Sequence, residues 1–246
     1  MQEGYFYLGF AFYLILIIVT LLISIFFLQK TRSNSKQRGK FDGYHLLIAI
    51  FFLIQFFSFI VRFYFMFIYP PNMADFQTAF LDPAYRIAHL DYEKLVAIHI
   101  MLIFIGFGTI TLAIEHYIYK RTHHLLCILI YITAPFLVIL PYNSAVLLQN
   151  LPIVITLLSV FIMMGFYANL ARKSSGTIRW KAIYITIGFL LFFIGIVMNS
   201  QSIMLAMHLY TLNLVWLTPL WFMMALFILF YGYKKELTQP KEENPQ

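Results

Sequence analysis

Residues 44–69 read YHLLIAIFFLIQFFSFIVRFYFMFIY, and Arg62 is the only Asp, Glu, Lys or Arg among them. As an α-helix, at about 1.5 Å per residue, a run of this length reaches about 39 Å. A bilayer has a hydrocarbon core of roughly 30 Å, so the segment predicts a transmembrane helix. It ends at Pro70-Pro71, where the one long connection of the chain begins.

The rest of the chain follows the same pattern. Of its 246 residues, 62% are hydrophobic and 11% are charged, about half the charged share of a soluble domain. A soluble protein of this size needs a larger charged surface, so this class is excluded. The predicted fold class is all-α, an integral membrane bundle of seven transmembrane helices in residues 1–233, with a disordered tail at 234–246. The predicted spans are 4–28, 44–69, 93–119, 125–140, 151–170, 180–197 and 211–231.

The basic residues predict the orientation, because cytoplasmic connections of membrane proteins carry an excess of Lys and Arg. We expect the N-terminus outside and the C-terminus in the cytoplasm of a multi-pass protein of the cell membrane. The positive charge then indicates contact with anionic lipid headgroups or a cytoplasmic protein partner, and not with nucleic acid. The residues on the predicted cytoplasmic side are Lys30, Arg32, Lys36, Arg38, Lys40, Lys120, Arg121, Arg172, Lys173, Arg179, Lys181, Lys234, Lys235 and Lys241.

Polar side chains inside the predicted spans are the best functional clue. A charged group there costs roughly 2.5–3.5 kcal/mol, so it should face the bundle interior and find a partner. Gln55, Ser58 and Arg62 stand at i, i+3 and i+7 and so share one face of the second predicted helix. By their expected depth in the membrane, Asp91 and Glu93 are the carboxylates nearest to Arg62. The predicted ligand site is a vestibule open to the outside, with Arg62 as its cationic anchor. Its residues are Gln55, Ser58, Arg62, His99 and Asn199. The alternative is that Arg62 extends to the outer headgroups or makes one structural ion pair.

Residues 115–127 read EHYIYKRTHHLLC and combine carboxylate, imidazole and thiol groups. His123 and Cys127, at i and i+4, could share a metal with His116 or Glu115, since zinc accepts all these ligands. The spacing matches no closed four-ligand pattern. Histidines at the membrane interface are therefore the favoured interpretation, and we predict no metal and no cofactor. Cys127 is the only cysteine, which excludes an intramolecular disulfide.

Several enzyme classes lack their motifs here. The sequence contains no H-E-x-x-H, no G-x-S-x-G, no P-loop and no G-x-G-x-x-G. No lysine lies in the middle of a span, so a retinal Schiff base has no attachment point. We therefore predict that the protein is not an enzyme.

An internal repeat is a further hypothesis. A shift of 136 residues aligns residues 19–22 (VTLL) with 155–158 (ITLL), and 56–61 (FFSFIV) with 192–197 (FFIGIV). These matches indicate a plan of three helices, one connecting helix and three helices. Chance similarity is the alternative, because Leu, Ile and Phe dominate every span. Small and hydroxyl residues at helical spacing, such as Thr20 with Ser24 and Gly188 with Gly195, predict close helix packing.

In helix number, orientation and lack of catalytic motifs, the chain resembles the seven-helix sensor modules of membrane histidine kinases and stand-alone archaeal and bacterial proteins of that layout. The similarity lies in the span pattern, with YRIA from Tyr85 and EHYIYKRT from Glu115 as accompanying stretches. It assigns no functional residue, and no kinase follows the last span here. The plan is also similar to that of three-plus-one-plus-three sugar carriers, but their Pro-Gln pair within a span is absent.

These features favour a receptor or sensor that binds a small or lipid-soluble ligand from the outer side and signals to a separate cytoplasmic partner. A carrier is the first alternative, in which the same polar residues lie on a route open to each side in turn. A structural or assembly protein of the membrane is the second. The sequence leaves the oligomeric state open.

Overall fold

The computed structural model describes residues 2–68, 90–118, 123–139, 146–198 and 218–234, with side chains described for 7–68, 90–118, 123–139, 154–196 and 218–234. Regular secondary structure within these ranges is helical, without a strand among them, which confirms the all-α prediction there. In chain order the helices are α1 (Gln2–Arg38), α2 (Gly43–Phe67), α3 (Leu90–Tyr117), α4 (Leu125–Thr133), α5 (Phe136–Ile139), α6 (Val146–Lys173), α7 (Gly176–Met198) and α8 (Thr218–Lys234).

Helices of membrane-spanning length make up most of this architecture. In the described ranges, five helical stretches are long and apolar enough to cross a membrane: Tyr7–Arg38, Gly43–Phe67, Leu90–Tyr117, Val154–Lys173 and Gly176–Ile196. This confirms the prediction of a multi-pass membrane protein. The fourth predicted span is a shorter apolar stretch, Leu125–Ile139, and the seventh is described only from Thr218 onward. The count of seven spans stays a prediction.

The surface of α1 shows why lipid is the natural solvent. Thr20 and Ser24 are buried, whereas Ile18 and Leu22 on the opposite face are 57% and 59% exposed. The Thr20 hydroxyl donates to the carbonyl of Leu16 at 2.6 Å, and Ser24 Oγ donates to the carbonyl of Ala49 on α2 at 2.9 Å. Polar groups inside and large apolar groups outside are the arrangement that a bilayer favours, and Ser24 confirms the predicted packing role of this stripe.

Several helix boundaries lie beyond the predicted spans. Helix α1 continues past Leu28 to Arg38, α6 continues past Leu170 to Lys173, and α7 begins at Gly176 and not at Trp180. Hydropathy detects only the apolar part of a helix, whereas helical hydrogen bonding continues into flanking polar segments that contain Lys, Arg or Gln, which are good helix formers. Helix α1 stops before Gly39, whose φ of +61° is the left-handed conformation common at helix ends. Most basic residues predicted for the first connection therefore lie on helix α1.

The fourth predicted span is interrupted at Pro135. Helix α4 ends at Thr133 and α5 begins at Phe136. Proline has no N–H group to donate to the carbonyl one turn earlier, so the helical ladder is broken at this point. Hydrogen bonds from Leu137 to Ala134 and from Ile139 to Pro135 then restart the helix.

The helices pack mainly against their neighbours in the chain. Helix α2 lies between α1 and α3, helix α7 lies between α6 and α8, and α4 contacts both α3 and α6. Helix α1 also contacts α8. A row of aromatic rings connects α2 and α3 with α7 and α8. The rings belong to Phe51 on α2, Phe107 on α3, Phe192 on α7 and Phe222 on α8, and successive ring centroids are 6.2, 5.3 and 5.0 Å apart.

Basic helix termini gather at one end of the bundle, which we name the basic end. Lys30 Nζ on α1 donates to the carbonyl of Lys234 on α8 at 2.8 Å. Tyr184, near the start of α7, packs on Tyr231 of α8 with ring centroids 5.0 Å apart. The described ends of α1, α7 and α8 therefore share one end, while the side of the membrane that it faces stays a prediction.

Candidate functional site

The predicted polar face of α2 is buried inside the bundle. Gln55 and Ser58 are fully buried and Arg62 is 5% exposed. All three are therefore in the interior, as a cost of several kcal/mol for polar groups in lipid requires. We name these residues, together with Tyr13 and His99, the polar cluster.

Ser58 and His99 join α2 to α3 through reciprocal hydrogen bonds. His99 Nδ1 lies 2.9 Å from the Ser58 carbonyl oxygen, and Ser58 Oγ lies 3.2 Å from the His99 carbonyl oxygen. A carbonyl oxygen only accepts, so Nδ1 carries the ring proton and Ser58 Oγ donates. Nε2 of the neutral ring is then an acceptor, and it is buried without a hydrogen-bond partner among the described residues.

Arg62 is held by aromatic side chains of α1 and α2. Its Nε donates to the Tyr13 hydroxyl at 2.5 Å. Its guanidinium carbon lies 5.8 Å from the Tyr13 ring centroid and 5.6 Å from that of Phe65, within the range of cation–π attraction. Tyr13 could not be predicted as this partner, because residue spacing within α2 does not indicate which side chain of α1 it meets.

Gln55 occupies a space that a glycine provides. Its Nε2 donates to the carbonyl of Ile103 on α3 at 3.4 Å. A Cβ atom added to Gly106 would collide with this same Nε2. The other amide atom, Gln55 Oε1, is buried and has no hydrogen-bond partner in the described part of the chain. The polar cluster thus holds two buried acceptor atoms that lack a hydrogen-bond partner among the described residues, Gln55 Oε1 and His99 Nε2.

The remaining predicted site residues have different positions. The Asp91 side chain is 80% exposed and lies 3.7 Å from Lys94 Nζ. Glu93 is half-buried near the start of α3. The pairing of Arg62 with Asp91 or Glu93 stays a prediction, and Asn199 lies outside the described residues.

A hydrogen-bonded corner joins α1 to α2 at the basic end. Asp42 Oδ2 lies 2.6 Å from Asn34 Nδ2 and 2.7 Å from His45 Nδ1, and Asp42 Oδ1 caps α2 by accepting from the His45 N–H. Burial acts to raise the pKa of Asp42, but the hydrogen bonds from Asn34 and His45 outweigh it and leave this pKa lowered. Beside this corner, a cavity of about 670 Å³ between α1 and α8 is lined by Phe26, Gln29, Lys30, Ser33, Asn34, Gln37, Tyr231 and Lys234.

A second cluster lies where α3 leads into α4. Glu115, His124 and Cys127 each offer one donor atom, and these atoms lie within 4.8 Å of one another. Glu115 and Cys127 are buried and His124 is half-buried. The sequence pattern pointed to His123 beside Cys127, whereas the structure brings His124 to this position. His123 is exposed.

Among the described side chains, two of the buried polar groups lie around Arg62 and around Glu115. Counted along α2, Arg62 lies about 28 Å from Gly43 at the basic end. Comparisons with protein-family models, curated proteins and solved structures find no match to this chain.

Proposed function

We propose that the protein is a receptor-like membrane sensor whose polar cluster binds a small, mainly apolar ligand that carries a hydroxyl or N–H donor. The observation that supports this is the pair of unpartnered acceptors, Gln55 Oε1 and His99 Nε2, among the described residues. A buried polar atom without a hydrogen bond costs roughly 1–3 kcal/mol, so a donor supplied by a ligand would recover that cost.

Ligand binding at this place can reach three helices at once. Tyr13 belongs to α1, Gln55, Ser58 and Arg62 belong to α2, and His99 belongs to α3. A ligand that draws Gln55 or His99 toward it would shift α2 relative to α3. Shifts of about 1–2 Å between packed helices are a common form of signal transmission. In this proposal the basic end, with Lys30 and Lys234 beside the cavity, is the surface that meets a cytoplasmic partner or anionic headgroups.

The ligand site can be tested with compounds that differ only in the donor. The probes are phenol and indole, with anisole and N-methylindole as counterparts that lack the O–H or N–H group. In the full chain reconstituted in lipid nanodiscs, we expect phenol and indole to raise the unfolding temperature saturably and the methylated probes to have little effect. Equal effects of both sets contradict the proposal.

Variants locate the effect. Gln55→Met and His99→Phe remove one acceptor each and should abolish the response to phenol and indole. Thr111→Val is the matched control, since Thr111 is also buried on α3 but lies about three turns from His99. Signalling is tested by hydrogen exchange of residues 39–42 at the basic end, which should change when indole saturates the protein. Unchanged exchange contradicts the sensor function.

A carrier is the second candidate, because the packing order favours it. Helices α1, α2 and α3 pack in sequence, α6, α7 and α8 pack in sequence, and α4 lies against α3 and α6. This packing order is compatible with the three-plus-one-plus-three plan of a carrier. Uptake of indole or phenol into proteoliposomes, with Arg62→Ala as control, distinguishes the two. Saturable flux that this substitution abolishes would favour the carrier over the sensor.

A further inference from the structure

We propose that Glu115, His124 and Cys127 form a binding site for a divalent transition-metal ion of the zinc class. The three residues come from the last turns of α3, the residue before α4 and the first turn of α4. Their donor atoms lie within 4.8 Å of one another. The proposal is independent of the ligand site around Arg62.

The donor set matches the chemistry of zinc. Carboxylate, imidazole and thiolate are its three common protein ligands, bound at roughly 2.0–2.3 Å. In a tetrahedral site such bonds place the donor atoms roughly 3.3–3.8 Å apart. Side-chain adjustments of about 1 Å would therefore bring the three residues onto one ion. Three protein ligands leave a fourth position for water, as in zinc sites that are open to chemistry or exchange.

The backbone of α4 orients the carboxylate. Glu115 Oε1 accepts from the N–H of Leu126 and Oε2 accepts from the N–H of Cys127, each at 3.1 Å. Each carboxylate oxygen has a second lone pair, so both hydrogen bonds can persist when a metal binds. Hydrogen bonds of this kind hold metal ligands in place and are typical of metal sites.

Helix capping alone explains Glu115 but not His124. His123 and His124 have φ values of 49° and 66°, two successive side-chain-bearing residues in the left-handed region. Such backbone costs of order 1–3 kcal/mol per residue and is concentrated at functional sites. The left-handed backbone at His123 and His124 directly precedes α4 and places the His124 ring beside Glu115 and Cys127. His124 Nδ1 is buried without a hydrogen-bond partner in the described ranges.

Charge balance also favours a divalent cation. On binding, the Cys127 S–H bond breaks, an S–metal bond forms, and the proton leaves to water. The thiolate and the Glu115 carboxylate then carry two negative charges, which a divalent ion neutralises while His124 binds as a neutral ring. The half-buried His124 gives an ion access from the surface.

Cobalt(II) provides the test, because its thiolate complexes show a charge-transfer band in the near ultraviolet. We expect the purified full chain, stripped with chelator, to bind one equivalent of cobalt with this band, and zinc to displace it. Cys127→Ser should remove the band. His124→Asn should weaken cobalt binding at least about tenfold, since Asn tolerates the left-handed conformation but replaces the ring.

His123→Asn is the matched control, because His123 shares the backbone conformation and is exposed. It should bind cobalt as the unmodified chain does. Circular dichroism shows that each variant is folded. Glu115→Gln serves as a further ligand variant, which keeps one oxygen acceptor for the backbone of α4 and should also weaken cobalt binding. Absence of a stoichiometric thiolate band in the unmodified chain overturns the proposal, as does an equal loss of affinity in His123→Asn and His124→Asn.

Discussion

At the scale of single residues, the polar cluster depends on side chains that have little freedom to move. Gln55 is fully buried, and its amide occupies the space beside Gly106. Spacing along α2 predicted that Gln55, Ser58 and Arg62 share a face, and their burial agrees with this. Neither Gly106 nor Tyr13 could be predicted as their neighbours, because contacts between helices do not follow from spacing within one helix.

Gly106→Ala should destabilise the protein by about 1–3 kcal/mol, the usual cost of overpacking a buried site. The added Cβ collides with Gln55 Nε2, while its other near neighbours are at ordinary contact distance. The cost should therefore be smaller in a Gln55→Ala background. Denaturant unfolding in bicelles measures both differences, and an equal cost in the two backgrounds would show that Gln55 is not the obstacle.

At the scale of elements, the corner between α1 and α2 is stabilised by the Asp42 carboxylate. The folded-state pKa of Asp42 lies below its ordinary value of 3.8. A lowered pKa contributes stability that is present above the unfolded-state pKa and is lost as pH falls through the folded-state pKa. Asp42→Asn keeps an oxygen for the helix cap but removes the charge.

The stability difference between the Asp42→Asn variant and its parent chain should therefore be constant above about pH 5 and decline below about pH 4. Both chains retain His45, because its hydrogen bond to Asp42 is one of those that lower this pKa. Unfolding free energies measured in bicelles across this acid range give the profile. A difference that grows toward acid pH would contradict the assigned sign.

Close packing of α7 against α8 depends on a glycine. A Cβ atom added to Gly188 would lie 2.6 Å from Leu229 Cγ and 3.0 Å from the Leu229 backbone nitrogen. Gly195 similarly lies close to Phe222. The predicted packing role is thus confirmed for Gly188 and Gly195, while Asn199 is outside the described residues.

Gly188→Ala should cost about 1–3 kcal/mol, because the obstructing backbone atom of α8 cannot rotate away. Gly165→Ala is the control, since nothing lies within 4 Å of its added Cβ. In that helix interior, alanine should gain up to about 1 kcal/mol from propensity. Thermal unfolding of both variants gives the comparison, and similar losses in the two would contradict a packing role for Gly188.

At the scale of the whole molecule, the prediction concerns orientation. Cys127 is the only cysteine, so Cys127→Ala gives a cysteine-free background for labelling. In intact cells, a membrane-impermeant maleimide should label Gln2→Cys, and it should label Lys40→Cys only after permeabilisation. This follows from the excess of Lys and Arg on one side. Equal labelling of both positions in intact cells would overturn the orientation.

The sequence by itself determined that this protein is helical and has several segments suited to a membrane, because long apolar runs have no other stable solvent. It also located the polar face of α2, since helical periodicity is a local property. Tertiary structure decided which groups meet: Tyr13 with Arg62, His99 with Ser58, and His124 in place of His123 beside Glu115. These pairings depend on the packing of separate helices and on left-handed backbone at one turn, neither of which residue spacing encodes.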